Sequence, residues 1–212
     1  MALRVTNGIP IPTSSPLIEE TAVEGTGLAQ AKPPTLGIER SEQNSSAWCY
    51  AACAAMAINF CTPPSSPPKL VQQCDIASFV KTTPAEAVDC CNTDDLQCVL
   101  TGCKVSEIGL IFDHWHIDFE KTSNPPGSVL GPVPLAKLKE EFAAERPVEV
   151  VINWSDQEGS HAVLVTGVDG ELVFIIDPLK GNPYGGWRTI TSLEDGFGSG
   201  EWVKTWSGLR KV

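Results

Sequence analysis

Three residue types that together can form and break acyl bonds are spread along this chain as Cys49, His161 and Asp177. Cys49 opens a small, apolar stretch that reads as a helix, and a helix start favours the thiolate over the weakly nucleophilic thiol. His161 lies on a β-branched run, where an imidazole can take the thiol proton and later return it to a leaving amine. Asp177, ahead of Pro178, can accept from the other ring nitrogen and fix its tautomer. Gln43 precedes Cys49 by six residues. Its amide and the Cys49 N–H suit a tetrahedral oxyanion, provided the chain folds back over the helix start. Cys53, one helical turn on, is the rival thiol, but Ala47 rather than a glutamine stands six residues before it. Taken singly, these residues have ordinary explanations: a buried helix cysteine, a strand histidine, a turn-forming Asp-Pro. Their joint order carries the reading.

The elements that must position them follow from the patterning. Ala47 to Phe60 reads as a helix capped by Ser45 or Ser46 and ended by Cys61-Thr62-Pro63-Pro64, since proline cannot continue the hydrogen-bond ladder. Further helices are expected over Lys69–Cys74, Ser106–Phe112 and Pro134–Glu145, the last with Leu135, Leu138 and Phe142 at helical spacing. Strands are expected over Val148–Trp154, His161–Val168, Leu172–Ile176 and Glu201–Trp206. Asp156-Gln157-Glu158-Gly159 and Asp169-Gly170 read as hairpin turns between them. A helical first part and a strand-rich second part predict an α+β protein of two lobes. The expected boundaries are a flexible arm or pro-segment over 1–40, a helical, cysteine-rich lobe over 41–131 and a β-rich lobe over 132–212. The site would lie between the lobes.

Composition narrows the function. A formal net charge of -11 over 212 residues argues against general nucleic-acid binding, which needs basic patches. No apolar run approaches the roughly 18 residues of a membrane span. The segment Met1-Ala2-Leu3-Arg4-Val5 lacks the apolar core of a secretory signal. Yet Cys61, Cys74, Cys90, Cys91, Cys98 and Cys103 crowd one stretch, which predicts at least two disulfides and an oxidising destination. Export without a recognisable signal reconciles the two, with the cytoplasm as the alternative. Connectivity is not legible, although adjacent Cys90 and Cys91 need distinct partners. His114-Trp115-His116, flanked by Asp113 and Asp118, would offer two histidines to a metal if it formed a strand. Paired Cys-x-x-Cys spacing is absent, so no metal or cofactor is expected. Trp187 would either shield the Asp–His contact or fill a loop.

Gln43 with Trp48-Cys49-Tyr50-Ala51-Ala52 and Met56, then Gly159-Ser160-His161-Ala162-Val163 with Gly167, then Asp177-Pro178, resembles the papain-like cysteine peptidases. The resemblance covers roughly residues 40 to 190 and is nearest to bacterial effector proteases and peptidase domains that trim bacteriocin leaders. It implies a papain-like fold with Gln43 at the oxyanion, Cys49 as nucleophile, His161 as base and Asp177 as orienting acid. The aspartate replaces the asparagine of plant papains, and Tyr50 stands where many relatives carry tryptophan. A cysteine endopeptidase acting on proteins or peptides is therefore expected, and an exported effector is one setting for it. An acyltransferase, transglutaminase or deamidase would use the same residues, and a silent, disulfide-stabilised binding module would keep only the scaffold.

Overall fold

Alternation sets the sheet. In a computed structural model, which describes residues 34–62, 70–92, 96–100, 102–123, 126–128, 130–155 and 159–212, five antiparallel strands run in the order β7-β6-β5-β4-β8. They are β4 (Val148–Trp154), β5 (Ser160–Asp169), β6 (Leu172–Ile176), β7 (Gly186–Thr189) and β8 (Gly200–Trp206). Successive residues point to opposite faces, and both faces are buried. Val151, Ala162, Leu164 and Ile176 join one core, whereas Val150, Ile152, Val163, Val165, Val173 and Ile175 join the other.

Helix α1 (Cys49–Cys61) packs on the first of these faces. Ala51, Ala52, Ala54, Ala55 and Ala57 are all buried, so it is apolar around its circumference, as an enclosed helix must be. Its small side chains let its backbone approach β5 closely, and the Cys53 thiol meets the Ala162 carbonyl at 3.3 Å. Helices α2 (Gln73–Lys81) and α4 (Ile108–His114) add to this core, while α5 (Leu135–Ala143) and α6 (Ile190–Glu194) supply Leu138 and Leu193 to the other. A short α3 (Leu96–Leu100) carries Cys98. The small strands β1 (Ile117–Asp118) and β9 (Arg210–Lys211) pair, as do β2 (Thr122–Ser123) and β3 (Pro126–Ser128).

Several elements differ from their sequence expectation. The helix expected over Lys69–Cys74 begins at Gln73 and runs to Lys81, because the Asp75 carboxylate accepts from the Gln72 N–H and fixes the start there. Neither Ser45 nor Ser46 caps α1. Trp48 occupies the cap position without a side-chain capping bond, and the Ser45 hydroxyl donates to the Val99 carbonyl instead. The strand needed to put His114 and His116 on one face is absent: His114 ends α4, and His116 sits in a turn at φ 57°. The His114 ring stacks on Phe79 at 4.2 Å.

Residues 1–33 of the expected arm and positions 156–158 of the expected hairpin turn lie outside the described residues. Residues 34–40, grouped with the arm by composition, lie along the sheet, with Leu36 N–H donating to the Thr166 carbonyl at 2.8 Å. Gly167 admits this segment, since a Cβ there would stand 3.1 Å from the Pro34 carbonyl and 3.1 Å from Thr35.

Candidate active site

Antiparallel pairing brings the histidine and aspartate together. Leu164 of β5 lies opposite Ile176 of β6, so the exit of β6 at Asp177 falls beside the entry of β5 at His161. His161 Nε2 lies 2.7 Å from Asp177 Oδ1. The imidazole is only 3 % exposed and Asp177 is fully buried. The α1 packing described above then sets Cys49 beside His161 on one cavity, where thiol and imidazole couple electrostatically. With Nε2 taken by Asp177, Nδ1 is the nitrogen left for the thiol. Cys49 itself is half-buried. It opens onto a cavity of about 350 Å³ whose walls include Tyr50 and Cys103 on one side and Val151, Trp154 and Ala162 on the other. A larger groove of about 650 Å³ elsewhere holds none of the four predicted site residues.

The electrostatics favour a thiolate–imidazolium pair. Burial opposes the Cys49 thiolate, but the His161 hydrogen bond and charge outweigh it, helped by the Ala162 and Tyr50 main-chain amides, and the pKa is lowered. Burial likewise opposes the His161 cation, yet Asp177 and Cys49 overcome it and raise His161 to about 9. Asp177 is held below the ordinary carboxylate range against its burial, chiefly by His161 and then by the Leu179 and Tyr184 main-chain amides. Burial pushes the Cys53 thiol well up, whereas His161 holds the Cys49 thiol down, which separates the two rival thiols.

The carboxylate is itself built in. Leu179 N–H donates to Asp177 Oδ1 at 2.9 Å and Tyr184 N–H to Oδ2 at 3.1 Å. The Asp177 N–H donates to Asn182 Oδ1 at 3.1 Å. Gly185 is required beside it, because a Cβ would come within 1.9 Å of that side-chain oxygen. Two rings border the imidazole: Trp154 lies 6.1 Å away and nearly parallel, at 14°, and Tyr184 lies 6.1 Å away and tilted. Trp187 is not one of them. It meets Phe174 edge-on at 5.3 Å, which corrects the shielding role considered for it.

Gln43 lies in the loop before α1, but its amide is occupied. Nε2 donates to the Ser45 carbonyl at 2.7 Å and the Ser46 carbonyl at 2.9 Å. Oε1 is buried with no hydrogen-bond partner among the described residues. The structure therefore brings Cys49, His161 and Asp177 together and turns the Gln43 amide onto its own loop.

Sequence reasoning passed over Trp154, Asn182, Tyr184 and Glu149. The turn residues of Gly181-Asn182-Pro183 were a usable signal for the loop that holds Asp177. Glu149 gave none, for it sits among strand hydrophobics. Its side chain is fully buried on β4, on the face it shares with Val151 against α1. Neither carboxylate oxygen has a hydrogen-bond partner among the described residues. Burial first, and the Cys49 charge second, push its pKa well up, which favours the neutral acid.

Comparison with known proteins fits this geometry. A profile described as the Peptidase_C39 like family matches residues 35–207. The chain belongs to that family. Membership makes it a cysteine-type peptidase acting on protein or peptide substrates. A crystal structure titled as a C39-like peptidase from Bacillus anthracis superposes with a TM-score of 0.52, at 14% identity, covering 83% of this chain and 97% of that one. At this identity the likeness concerns the fold, and it agrees with a papain-like α+β architecture. No curated protein sequence matches the chain. Among the described residues, no helix is long and apolar enough to cross a membrane.

Proposed function

We propose that this family member is an endopeptidase working through a Cys49–His161–Asp177 triad. The observation that carries the reading is the His161 Nε2 to Asp177 Oδ1 contact of 2.7 Å, which commits one ring nitrogen to the acid and leaves the other to the half-buried thiol.

The Cys49 thiolate attacks the scissile carbonyl carbon, forming the C–S bond as the carbonyl electrons move to oxygen. The His161 imidazolium then protonates the amine as the C–N bond breaks, leaving a thioester. Neutral His161 next takes a proton from water, whose oxygen attacks the thioester carbonyl. Collapse releases the acid and returns the thiolate–imidazolium pair. In this reading, main-chain N–H groups of the first turn of α1, which have no intrahelical partners, receive the oxyanion. Gln43 joins them once its amide releases one of the two loop carbonyls.

Cys74 and Cys91 have sulfurs 2.05 Å apart, and Cys90 and Cys98 2.00 Å apart. We read both pairs as disulfides of an enzyme that works in an oxidising setting, as an exported protein does. Cys49, Cys53, Cys61 and Cys103 stay free.

The test is mass spectrometry of a diverse peptide library incubated with wild type, Cys49→Ala and Cys53→Ala. Hydrolysed peptides in wild type and Cys53→Ala, with none in Cys49→Ala, are expected. A gain of an amine-linked adduct would make the enzyme a transferase. A gain of about 1 Da at glutamine or asparagine would make it a deamidase. Activity retained in Cys49→Ala would remove it as the nucleophile.

A further inference from the structure

A guanidinium from outside the sheet grips the main chain around the acid of this site. Arg40 stands in the segment leading into the Cys49 helix, far in sequence from the Asp177 loop. Its Nε donates to the Asp177 carbonyl at 2.7 Å, and its Nη2 donates to the Leu179 carbonyl. The intervening Pro178 carbonyl accepts from the Gln43 N–H at 2.9 Å. Three consecutive carbonyls of the Asp177 loop are therefore held by Arg40 and Gln43.

The same segment is fastened to the helical side. Ser41 N–H donates to the Met56 sulfur of α1 at 3.1 Å. The buried Gln73 side chain of α2 donates to the Ser41 hydroxyl at 2.9 Å and the Glu42 carbonyl at 2.8 Å, and accepts from Asn44 N–H at 2.9 Å. A main-chain ribbon so anchored cannot shift relative to α1 without breaking these bonds. Its grip on 177–179 transfers the position of the nucleophile's helix to the carboxylate.

We propose that Arg40 is a positioning residue for the triad, gripping the Asp177 and Leu179 carbonyls so that the Asp177 carboxylate is registered to the Cys49 helix. It does not touch reacting atoms and acts through the loop. A planar fork suits two carbonyls at fixed spacing, whereas a lysine ammonium can reach either but not hold both in one plane. The proposal rests on the Cys49–His161–Asp177 reading above.

The experiment compares full-length wild type, Arg40→Ala, Arg40→Lys and Arg40→Gln in two assays. The first follows Cys49 alkylation by iodoacetate, whose anion is drawn to the His161 imidazolium, against pH, with Cys49→Ala as blank. The second follows kcat and KM on a peptide identified with the library. Arg40→Ala should lower kcat about tenfold or more with KM little changed, the signature of misplaced groups rather than weaker substrate binding. The alkaline limb of the alkylation profile should move down from about 9 as Asp177 loses its hold on His161. Lysine should restore part of both effects and glutamine less. Methylguanidinium added to Arg40→Ala should also restore part of the rate.

An unchanged alkaline limb and kcat in Arg40→Ala overturn the proposal. So does a fall in melting temperature in all three variants with the wild-type limb retained, since that marks a merely structural contact. Alkylation does not need a substrate, so an enzyme that proves to be a transferase still tests Arg40. A wild type with no raised alkaline limb would instead refute the triad.

Discussion

Replacing Asp177 by asparagine is a severe change here, although plant papains carry an asparagine at the corresponding place. Both carboxylate oxygens are engaged: Oδ1 with His161 Nε2 and Leu179 N–H, Oδ2 with Tyr184 N–H. An amide must set its NH₂ against one of these donors. Keeping its oxygen toward His161 and Leu179 leaves the NH₂ facing Tyr184 N–H, in a residue 3 % exposed. Orphaning a buried N–H costs about 1–3 kcal/mol. For a domain of this size that lowers Tm by about 2–4 °C per kcal/mol, or about 4–8 °C for a mid-range cost of about 2 kcal/mol. The lost charge has a second effect. Asp177 is a principal factor raising His161 to about 9 from its ordinary 6.5. A raised histidine keeps the imidazolium, and with it the attraction of an anionic alkylating agent to the thiolate, up to that pH. Asp177→Asn should therefore bring the alkaline limb of Cys49 alkylation down toward the ordinary histidine value, while the acid limb, set by Cys49 ionisation, rises. The reactive window narrows from both sides. Thermal melts with iodoacetate rates from pH 5 to pH 10 measure both effects. A variant with wild-type Tm and a wild-type alkaline limb would refute the assignment of Asp177 as orienting acid.

Glu149→Gln should flatten part of the pH dependence of stability. A folded-state pKa raised above 4.5 means the folded protein holds a proton the unfolded chain releases. Stability then falls as pH rises above about 4.5, by up to about 1.4 kcal/mol per unit until the folded pKa is passed. Parallel Tm curves for wild type and variant between pH 5 and pH 8 would contradict this. A non-reducing peptide map should link Cys74 to Cys91 and Cys90 to Cys98, and reduction should cost about 2–4 kcal/mol in denaturant melts; six free thiols among Cys61, Cys74, Cys90, Cys91, Cys98 and Cys103 would contradict both. Gln43→Ala should lower kcat by about 10²–10³-fold with little change in KM, the usual loss for one oxyanion donor. A raised KM with unchanged kcat would assign Gln43 to substrate binding.

What could be read from the sequence was what depends on local pattern. Val148–Trp154 and Leu172–Ile176 match β4 and β6 end to end because each alternates between two buried faces and is closed by turn residues. The start of α1 was legible from its run of small residues, whereas its cap was not, because Ser45 is claimed by Val99, distant in sequence. β7 was missed: four residues opening on Gly186 give no alternation, and it forms only because β6 offers an edge. The candidate site follows the same division. Cys49, His161 and Asp177 announce themselves by type and order, and the fold brings them together. Arg40 and Glu149 come to the Asp177 loop and to the buried face against α1 only on folding, and no spacing marks them. Gln43 was legible by its distance from Cys49, but the direction of its amide depends on the loop it closes.

The near-parallel ring beside His161 gives the site an optical reporter. Trp154 presents its indole to the imidazole at 6.1 Å and 14°, in a pocket that leaves it 8 % exposed. A neutral imidazole and an imidazolium are different neighbours for that indole, because the charged ring interacts with the π face and quenches its emission. Each proton gained or lost at His161 thus changes the brightness of one tryptophan among six. Subtracting the emission of Trp154→Phe from that of wild type isolates this signal. Formation and breakdown of the thioester, which move that proton, can then be timed without attaching a dye to the enzyme or to its substrate.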